Sequence, residues 1–426
     1  MRTSSVVLSW LLAAAVLSSC NVTEDEVRSY SRYSNGKSKL FVVMTEPEYS
    51  TKLKRVAALE LFGMRALAEL EEGLKSMPQQ GKPEVVSAIV ETAEKALQSA
   101  NQQKQITAKD ALYLTLPYLS GDKKTEVEDL LIRWTTEKFT LRFKFGRFDT
   151  GKILTKIGAR AVPHMLALIR SGKDTVRASR ILKALEAPQA VEQATQMVID
   201  SLEKNIMENS EPKILALGTL GGPKALDYLN KLAANNKTAG AWDRLKAMDE
   251  LLKLADKSSL ETARSIVSDS SAQFDLRRKA LELLGKVGGP EALSAVLKAL
   301  SDPDLRDKAW DLALRFGGTQ ALDQMLSKYV KPDWKLDKNE INDLVSSIAK
   351  LGKSSQPALL SSLKKCKKNV PACIISVRAL GEFGSRDSIP KLQAHIEDDI
   401  PLDQFGFPGT TIGVQATTAI NKISKR

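Results

Sequence analysis

The sequence predicts an all-α fold, in the form of a right-handed superhelix of stacked helix pairs. Apolar residues recur at helical spacing along most of the chain, and Gly-rich junctions repeat at similar intervals. Aromatic residues make up only 5% of the 426 residues. A core built from Leu, Ala, Ile and Val suits packed helices better than sheets. The length exceeds that of one compact domain and allows an extended array.

The repeats are marked by Gly-containing junctions, of which three end in Ala-Leu and three weaker copies end in Pro. From Gly289 to Gly318 is 29 residues, and from Gly318 to Gly352 is 34. Gly takes the left-handed conformation that ends a helix, and Pro suits the first turn of the next helix. The junctions therefore predict about eight helix pairs over residues 151–426. The junctions themselves lie at 157–163, 220–226, 287–293, 316–322, 351–357 and 383–390.

One unit shows the pattern in full, with a helix at 292–300, a polar turn and a second helix at 305–314. It resembles a HEAT repeat of the short bacterial type, the type also present in bilin lyases. The resemblance implies an architecture that mostly binds other molecules and implies no particular activity. The matching residues are Asp302, Pro303, Asp304 and Arg306 here, Asp275, Arg277 and Ala280 in the preceding unit, and Asp174, Val176 and Arg177 in the first.

Arginines recur near the starts of the predicted second helices, at Arg177, Arg277, Arg306 and Arg378. They could line a concave face that binds anions. In HEAT-like stacks such residues commonly pair with an Asp of a neighbouring unit. The resemblance therefore favours a ladder of ion pairs over an anion site.

The N-terminus, MRTSSVVLSWLLAAAVLSSC, predicts a secretory signal peptide over residues 1–19. Arg2 supplies a positive charge, and an apolar run of 12 residues from Val6 to Leu17 is interrupted only by Ser9. A bilayer-spanning helix needs about 20 apolar residues, so this run is too short to be a stable anchor. Its length fits the apolar region of a signal peptide.

The run ends in Leu17-Ser18-Ser19-Cys20, which resembles the bacterial lipobox. The resemblance implies cleavage between Ser19 and Cys20 and a diacylglycerol thioether on Cys20. Two or more acyl chains anchor a protein stably without a transmembrane helix. Asn21 resembles the outer-membrane class of lipoproteins, so we expect an envelope protein at the outer membrane, facing the periplasm. An ordinary secretion signal with a chance Cys is the alternative.

The remaining N-terminal part predicts two regions. Residues 20–46 are polar with little apolar periodicity, and they predict a lipid-anchored flexible tether. Residues 47–150 predict an N-terminal helical region or degenerate repeats, with one long helix from Tyr49 to Met77. Residues 40–44 are β-like and residues 139–145 alternate with period two, so they could pair as a small sheet. For residues 139–145, a helix continuing from Trp134 is the alternative.

Two local features of the C-terminal part are candidate sites. Cys366 and Cys373 flank a short Lys-rich turn, and a structural disulfide is favoured over two free thiols because the envelope is oxidising. Phe405 and Phe407 lie in a long Gly-containing turn of the last unit. They could contact a partner, or they could fold back and cap the terminal core.

Charge and residue types limit the functional classes. The net charge is +12, but the Lys excess is scattered along the chain, which favours a solvated surface. His164 and His395 lie far apart, so a His-based metal site or catalytic triad is not expected. No phosphate-binding loop, His-Glu-x-x-His motif or Gly-x-Ser-x-Gly motif occurs. The basic-aromatic run at 142–148 could contact bases or lipid, but secretion argues against nucleic acid, and its Phe side is expected in the core.

These observations predict an envelope-anchored, non-enzymatic scaffold or adaptor that binds an envelope protein or peptide through its repeat surface. The alternative is a protein that binds an acidic envelope polymer or lipid head groups, motivated by the net charge. An envelope enzyme with an unrecognised site is the least favoured hypothesis. The only expected prosthetic group is the covalent lipid on Cys20, and neither a metal nor a nucleic acid is expected.

Overall fold

The computed structural model describes residues 22–137, 146–204, 210–235 and 239–426, and it confirms the predicted all-α fold. Within these ranges no β-strand occurs; an isolated antiparallel bridge joins Pro401 and Thr411. The chain divides into two compact units, Met1–Val191 and Glu192–Arg426, and each is described by itself.

Unit 1 is built from helices that pack on their neighbours and next neighbours in the sequence. Helix α2 packs on α3 and α4, α3 packs on α5, and α5 packs on α6. The helices are α1 (Glu24–Tyr30), α2 (Gly36–Thr45), α3 (Thr51–Gly63), α4 (Leu67–Ser76), α5 (Lys82–Leu97), α6 (Gln102–Thr115), α7 (Gly121–Glu137), α8 (Thr150–Ile157), α9 (Val162–Arg170) and α10 (Thr175–Ala184).

The tether prediction for residues 20–46 was wrong for most of that segment. Residues 24–30 and 36–45 form α1 and α2, and Val27, Leu40 and Met44 are buried in the core of unit 1. Thr23 caps α1, since its hydroxyl accepts the backbone N–H of Glu26 at 3.3 Å. The few apolar residues of this polar segment are spaced to reach one face, and packing of that face stabilises helices too short to be stable alone.

The β prediction for residues 40–44 was also wrong, because these residues lie in α2. Leu40, Val43 and Met44 are buried together, which is the spacing of one helix face and not the alternation of a strand. Residues 139–145, the second part of that prediction, lie outside the described residues. The long helix predicted from Tyr49 to Met77 is divided into α3 and α4, and Arg65 between them has a φ of +60°.

Unit 2 consists of helix pairs, each with a first helix, a turn and a second helix. The helices are α11 (Pro188–Lys204), α12 (Ser210–Leu220), α13 (Gly222–Ala234), α14 (Ala241–Leu254), α15 (Leu260–Ser268), α16 (Phe274–Val287), α17 (Leu293–Ala299), α18 (Arg306–Gln324), α19 (Lys338–Ala349), α20 (Gln356–Leu363), α21 (Val370–Phe383), α22 (Ile389–Gln393) and α23 (Ile412–Ser424). Helix α18 is broken at Gly318, so its halves belong to successive pairs.

The Gly-rich junctions perform the predicted role with a different backbone conformation. Gly221 and Gly289 have φ values of 68° and 80°, but their ψ values are −158° and −159°. This is not the left-handed helical conformation that the sequence analysis predicted; it is a region that essentially only Gly enters. Pro223 and Pro290 lie in the first turn of the helices that follow, as predicted.

Second helices of successive pairs pack side by side in unit 2. Lys279 pairs with Asp249, and the Lys286 ammonium donates to the Leu252 carbonyl at 3.0 Å. From the first contact to the second, the residue number increases in both helices, so α14 and α16 run parallel. The same holds for α21 and α23, where Arg378 contacts Gln415 and Lys422 pairs with Glu382. The turns before second helices therefore lie along one side of unit 2, which we call the turn edge.

Candidate functional site

The predicted lipidation signal cannot be placed in the fold. Leu17 to Cys20, including the cleavage position between Ser19 and Cys20, lies outside the described residues. Of the helices in the described ranges, none combines the length and the apolar character needed to cross a membrane.

Phe405 and Phe407 are buried, so their prediction as an exposed partner-contact loop was wrong. Their exposed fractions are 2% and 5%. The Phe407 ring lies 4.9 Å from the Arg378 guanidinium, and the backbone N–H of Phe407 donates to Leu402. The long turn folds back over the last helix pair and caps the core, which is the second arrangement that the sequence allowed.

Cys366 and Cys373 are joined by a disulfide, with 4.8 Å between their Cα atoms. The bond ties the turn after α20 to the first turn of α21. Both cysteines are buried, so the disulfide serves the local structure and is not an accessible thiol pair.

The predicted arginine ladder is present at Arg277. Arg277 forms an ion pair with Asp302 of the next pair, and its Nε donates to the Ala272 carbonyl at 3.1 Å. Arg177 lies 3.7 Å from Asp174 at the start of its own helix. Arg244, which the sequence analysis missed, stands at the corresponding position of the preceding pair, and its Nε donates to the Ala233 carbonyl at 2.9 Å.

Arg306 and Arg378 contact the next pair without a carboxylate. The Arg306 guanidinium stacks 4.0 Å from the centre of the Trp334 ring. Arg378 donates to the amide oxygens of Gln415 at 3.0 Å and Asn342 at 2.6 Å, and burial lowers its pKa. These cations are held by amides and aromatic rings inside the stack, so they do not form an open anion site.

A buried ion pair fixes the end of the basic-aromatic run in unit 1. Lys109 and Asp110 are fully buried and lie 2.7 Å apart. The Asp110 carboxylate accepts the backbone N–H groups of Arg147 at 2.7 Å and Phe148 at 3.3 Å, and the Lys109 ammonium donates to the Phe148 carbonyl. Phe148 is buried, as expected, and residues 142–145 lie outside the described residues. This contact joins two segments and leaves no free nucleophile or acid.

The two histidines lie in different units. His164 lies in α9 of unit 1, and His395 of unit 2 pairs with Asp398 at 2.7 Å. In the part of the chain that the structure describes, no group of three or more His, Cys, Asp or Glu side chains is arranged to hold a metal.

Two exposed aromatic residues stand at the turn edge of unit 2. Trp242 is 58% exposed and Phe274 is 41% exposed. Trp242 is the second residue of α14 and Phe274 is the first residue of α16. Because α14 and α16 are packed and parallel, the two residues stand on adjacent helix ends, and the helix axes are about 10 Å apart at the usual helix spacing.

Cationic side chains accompany both aromatic rings. The Lys246 ammonium lies 4.6 Å from the centre of the Trp242 ring and pairs with Glu211 at 2.8 Å. That hydrogen bond holds the pKa of Glu211 below its usual value. The Arg278 guanidinium lies 5.8 Å from the Phe274 ring centre. Exposed Trp, Phe and Arg are the residue types that dominate the energetics of protein interfaces.

Sequence analysis missed this aromatic pair, although a signal was present. The core stripe of α14 is marked by Ala247, Met248 and Leu251. Trp242 lies between 120° and 180° away from these residues around the helix, at 100° per residue. A large aromatic residue on the polar side of an amphipathic helix is a candidate for contact with another molecule.

Comparison with known proteins supports the repeat assignment. A family model described as PBS lyase HEAT-like repeat matches residues 276–302, the segment that contains Arg277, Ala280 and Asp302. The predicted HEAT-like resemblance is therefore confirmed for this unit. None of the curated proteins matches the chain.

Two solved structures with a similar fold are crystal structures of the karyopherin Kap121p, one bound to the SUMO protease Ulp1p and one bound to Ste12p. Sequence identities are 11% and 12%, the TM-score is 0.39 for both, and each alignment covers 97% of this chain. The alignments cover 52% of the karyopherin chain, so this chain spans about half its length.

Proposed function

We propose that this protein is a lipid-anchored scaffold of the bacterial cell envelope. In this proposal it catalyses no reaction and binds a protein partner through the turn edge of unit 2. The anchoring part of the proposal rests on the lipobox-like Leu17-Ser18-Ser19-Cys20. The scaffold part rests on the helix pairs and on the HEAT-like match at 276–302. The absence of a recognised catalytic motif in the sequence motivates a binding role.

The observation that carries the partner-binding proposal is the pair Trp242 and Phe274. Both rings are exposed although apolar side chains of this size are stabilised by burial, by about 2–3 kcal/mol each. They stand on adjacent helix ends, so one partner surface can cover both.

Crosslinking in intact cells followed by affinity purification tests the scaffold. We expect one envelope protein to be recovered with wild type and lost with the Trp242→Ala/Phe274→Ala variant. Tyr33→Ala is the matched control, since it removes an exposed aromatic ring, 54% exposed, from unit 1. Recovery of no protein with wild type, or turnover of an envelope substrate by the purified protein, would overturn the proposal.

The anchor is tested separately with Cys20→Ala. We expect this variant to lose incorporation of labelled fatty acid and to move from the membrane fraction to the periplasmic fraction. Fatty acid that remains attached to the Cys20→Ala variant would contradict lipidation at this residue.

A further inference from the structure

One turn of unit 2 concentrates positive charge. Lys364, Lys365, Lys367 and Lys368 surround Cys366, and all four side chains are exposed. Within the described ranges, no carboxylate lies within 4.0 Å of any of them. The disulfide from Cys366 to Cys373 holds this turn in place, so the four like charges stay together in spite of their repulsion.

The neighbouring turn adds two lysines. The Asn369 side chain donates to the Val330 carbonyl at 2.7 Å, and Ser327 and Lys365 line the same small cavity. Lys328 and Lys331 are exposed beside these contacts. We name the six residues Lys328, Lys331, Lys364, Lys365, Lys367 and Lys368 the lysine patch. The exposed acidic residues near these contacts are Asp323 at the end of α18 and Asp333 and Asp337 in the turn before α19, so six lysines face three carboxylates and positive charge is in excess.

Acidic turns bound the lysine patch on both sides. The preceding turn carries the exposed Asp304, and the following turn carries the exposed Glu397 and Asp399. The positive strip is therefore about two helix spacings wide, or about 20 Å. A broad anionic surface such as a bilayer would also face the flanking carboxylates, whereas a narrow acidic chain can lie within the strip.

We propose that the lysine patch binds an acidic segment of a partner polypeptide. The inference rests on the proposed protein-binding function and adds the chemistry of the partner. Lys is a compact charge on a flexible stem, which suits carboxylates that are not held in one geometry. Complementary charge of this kind selects the partner and accelerates its association.

The turn edge carries the lysine patch and the aromatic pair together. From Phe274 at α16 to the turns before α19 and α21 is two to three helix spacings, about 20–30 Å. An extended chain of about seven to nine residues spans that distance. The partner segment that fits the turn edge has an apolar side chain that contacts Trp242 and Phe274, and an acidic run about seven to nine residues away along its sequence.

Fluorescence anisotropy with labelled poly-L-glutamate tests the lysine patch. The protein is residues 20–426 with Cys20→Ser, which keeps every described helix and cannot carry the lipid. The variant Lys364→Gln/Lys365→Gln/Lys367→Gln/Lys368→Gln keeps the aliphatic stems and removes the charge. We expect its affinity to fall at least about tenfold, with wild-type binding weakened by salt.

Two control variants separate the lysine patch from net charge and from side-chain geometry. Replacing Lys257, Lys298, Lys308 and Lys425 by Gln removes the same charge from exposed positions of unit 2 that have no ion pair in the described ranges. This variant is expected to bind like wild type. Replacing the four lysines of the turn by Arg is expected to retain binding. Equal losses in the two Gln variants would overturn the inference.

Vesicles of phosphatidylcholine mixed with phosphatidylglycerol test the competing ligand class. Binding to these vesicles through the lysine patch without binding to poly-L-glutamate overturns the inference in favour of a lipid surface. In cells, recovery of a partner that requires Trp242 and Phe274 but not the four lysines of the turn would overturn this inference and leave the scaffold proposal in place. Recovery of no partner with wild type overturns the scaffold proposal instead.

Discussion

The guanidinium group of Arg306 lies 4.0 Å from the centre of the Trp334 ring, at the position where the preceding helix pair has the ion pair between Arg277 and Asp302. Both contacts join the start of a second helix to the turn of the next pair. A cation at this position is thus stabilised either by a carboxylate or by an aromatic face. The two contacts occupy the same position in successive repeats, but one is an ion pair and the other is a cation–π contact.

The Arg277–Asp302 pair is expected to stabilise unit 2. Asp302→Ala leaves the largely buried Arg277 without a counter-charge, so we expect a loss of about 3 kcal/mol in the free energy of unfolding. Urea unfolding measures this loss. Asp275→Ala is the control, because its pair with Arg278 is half exposed and is expected to contribute less than about 1 kcal/mol. Equal losses would show that the inter-repeat pair has no special role.

The buried Lys109–Asp110 pair is expected to hold residues 147 and 148 in place. Asp110→Asn leaves the Lys109 charge unpaired and weakens the bonds from both backbone N–H groups, so we expect a loss of about 3 kcal/mol. Hydrogen exchange of the Arg147 and Phe148 amides should accelerate. Glu71→Gln, which removes the partly exposed pairs with the Arg147 and Lys75 side chains but leaves Asp110 in place, should leave these amides protected. Unchanged exchange in Asp110→Asn would refute this role.

The Cys366–Cys373 disulfide is expected to contribute about 2–3 kcal/mol, as estimated from the entropy of closing so short a loop. Thermal unfolding of oxidised and reduced wild type measures this contribution without changing any side chain. The Cys366→Ala/Cys373→Ala variant should unfold at or below the temperature of the reduced protein, and a reducing agent should leave it unaffected. Identical transitions for oxidised and reduced wild type would exclude a stabilising bond.

Tyr30 is expected to report the docking of α1. Burial raises its pKa to about 12, with a further contribution from Glu26. The unfolded chain loses this proton near pH 10, so the stabilisation is complete below that pH and is lost as the pH rises from about 10 to about 12. The absorbance difference between wild type and Tyr30→Phe during alkaline titration isolates this phenol.

The control for this titration is Tyr33→Phe, which removes the phenolic hydroxyl of an exposed tyrosine in the following turn. It should leave the late-titrating component in place. If the phenol lost in Tyr30→Phe titrates near pH 10 in the native protein, α1 is not packed on the core and the segment is closer to the tether that its composition predicts.

The repeat region was predictable because its signals are local. Gly at a helix end and Pro in the next first turn act through backbone geometry, and apolar spacing marks the face that must be buried. Residues 24–45 were mispredicted because apolar residues are sparse in α1 and form an unbroken run at 40–44 in α2. Only packing on the neighbouring helices shows which of them share a helix face. The split of the long helix at Arg65 follows Gly63, the last residue of α3, which is a local signal for a helix end that the sequence analysis missed.

The sequence by itself determined the helical class, the pairing of helices and the residues of most of the core, since each depends on spacing within a few turns. Only the tertiary structure decided which aromatic residues stay exposed and which charges meet. Phe407 is covered by its own turn while Trp242 is not, and Lys331 joins Lys364 because Asn369 bonds to Val330. The exposure of a residue and its long-range contacts depend on which other elements pack against it, and no local sequence pattern encodes that packing.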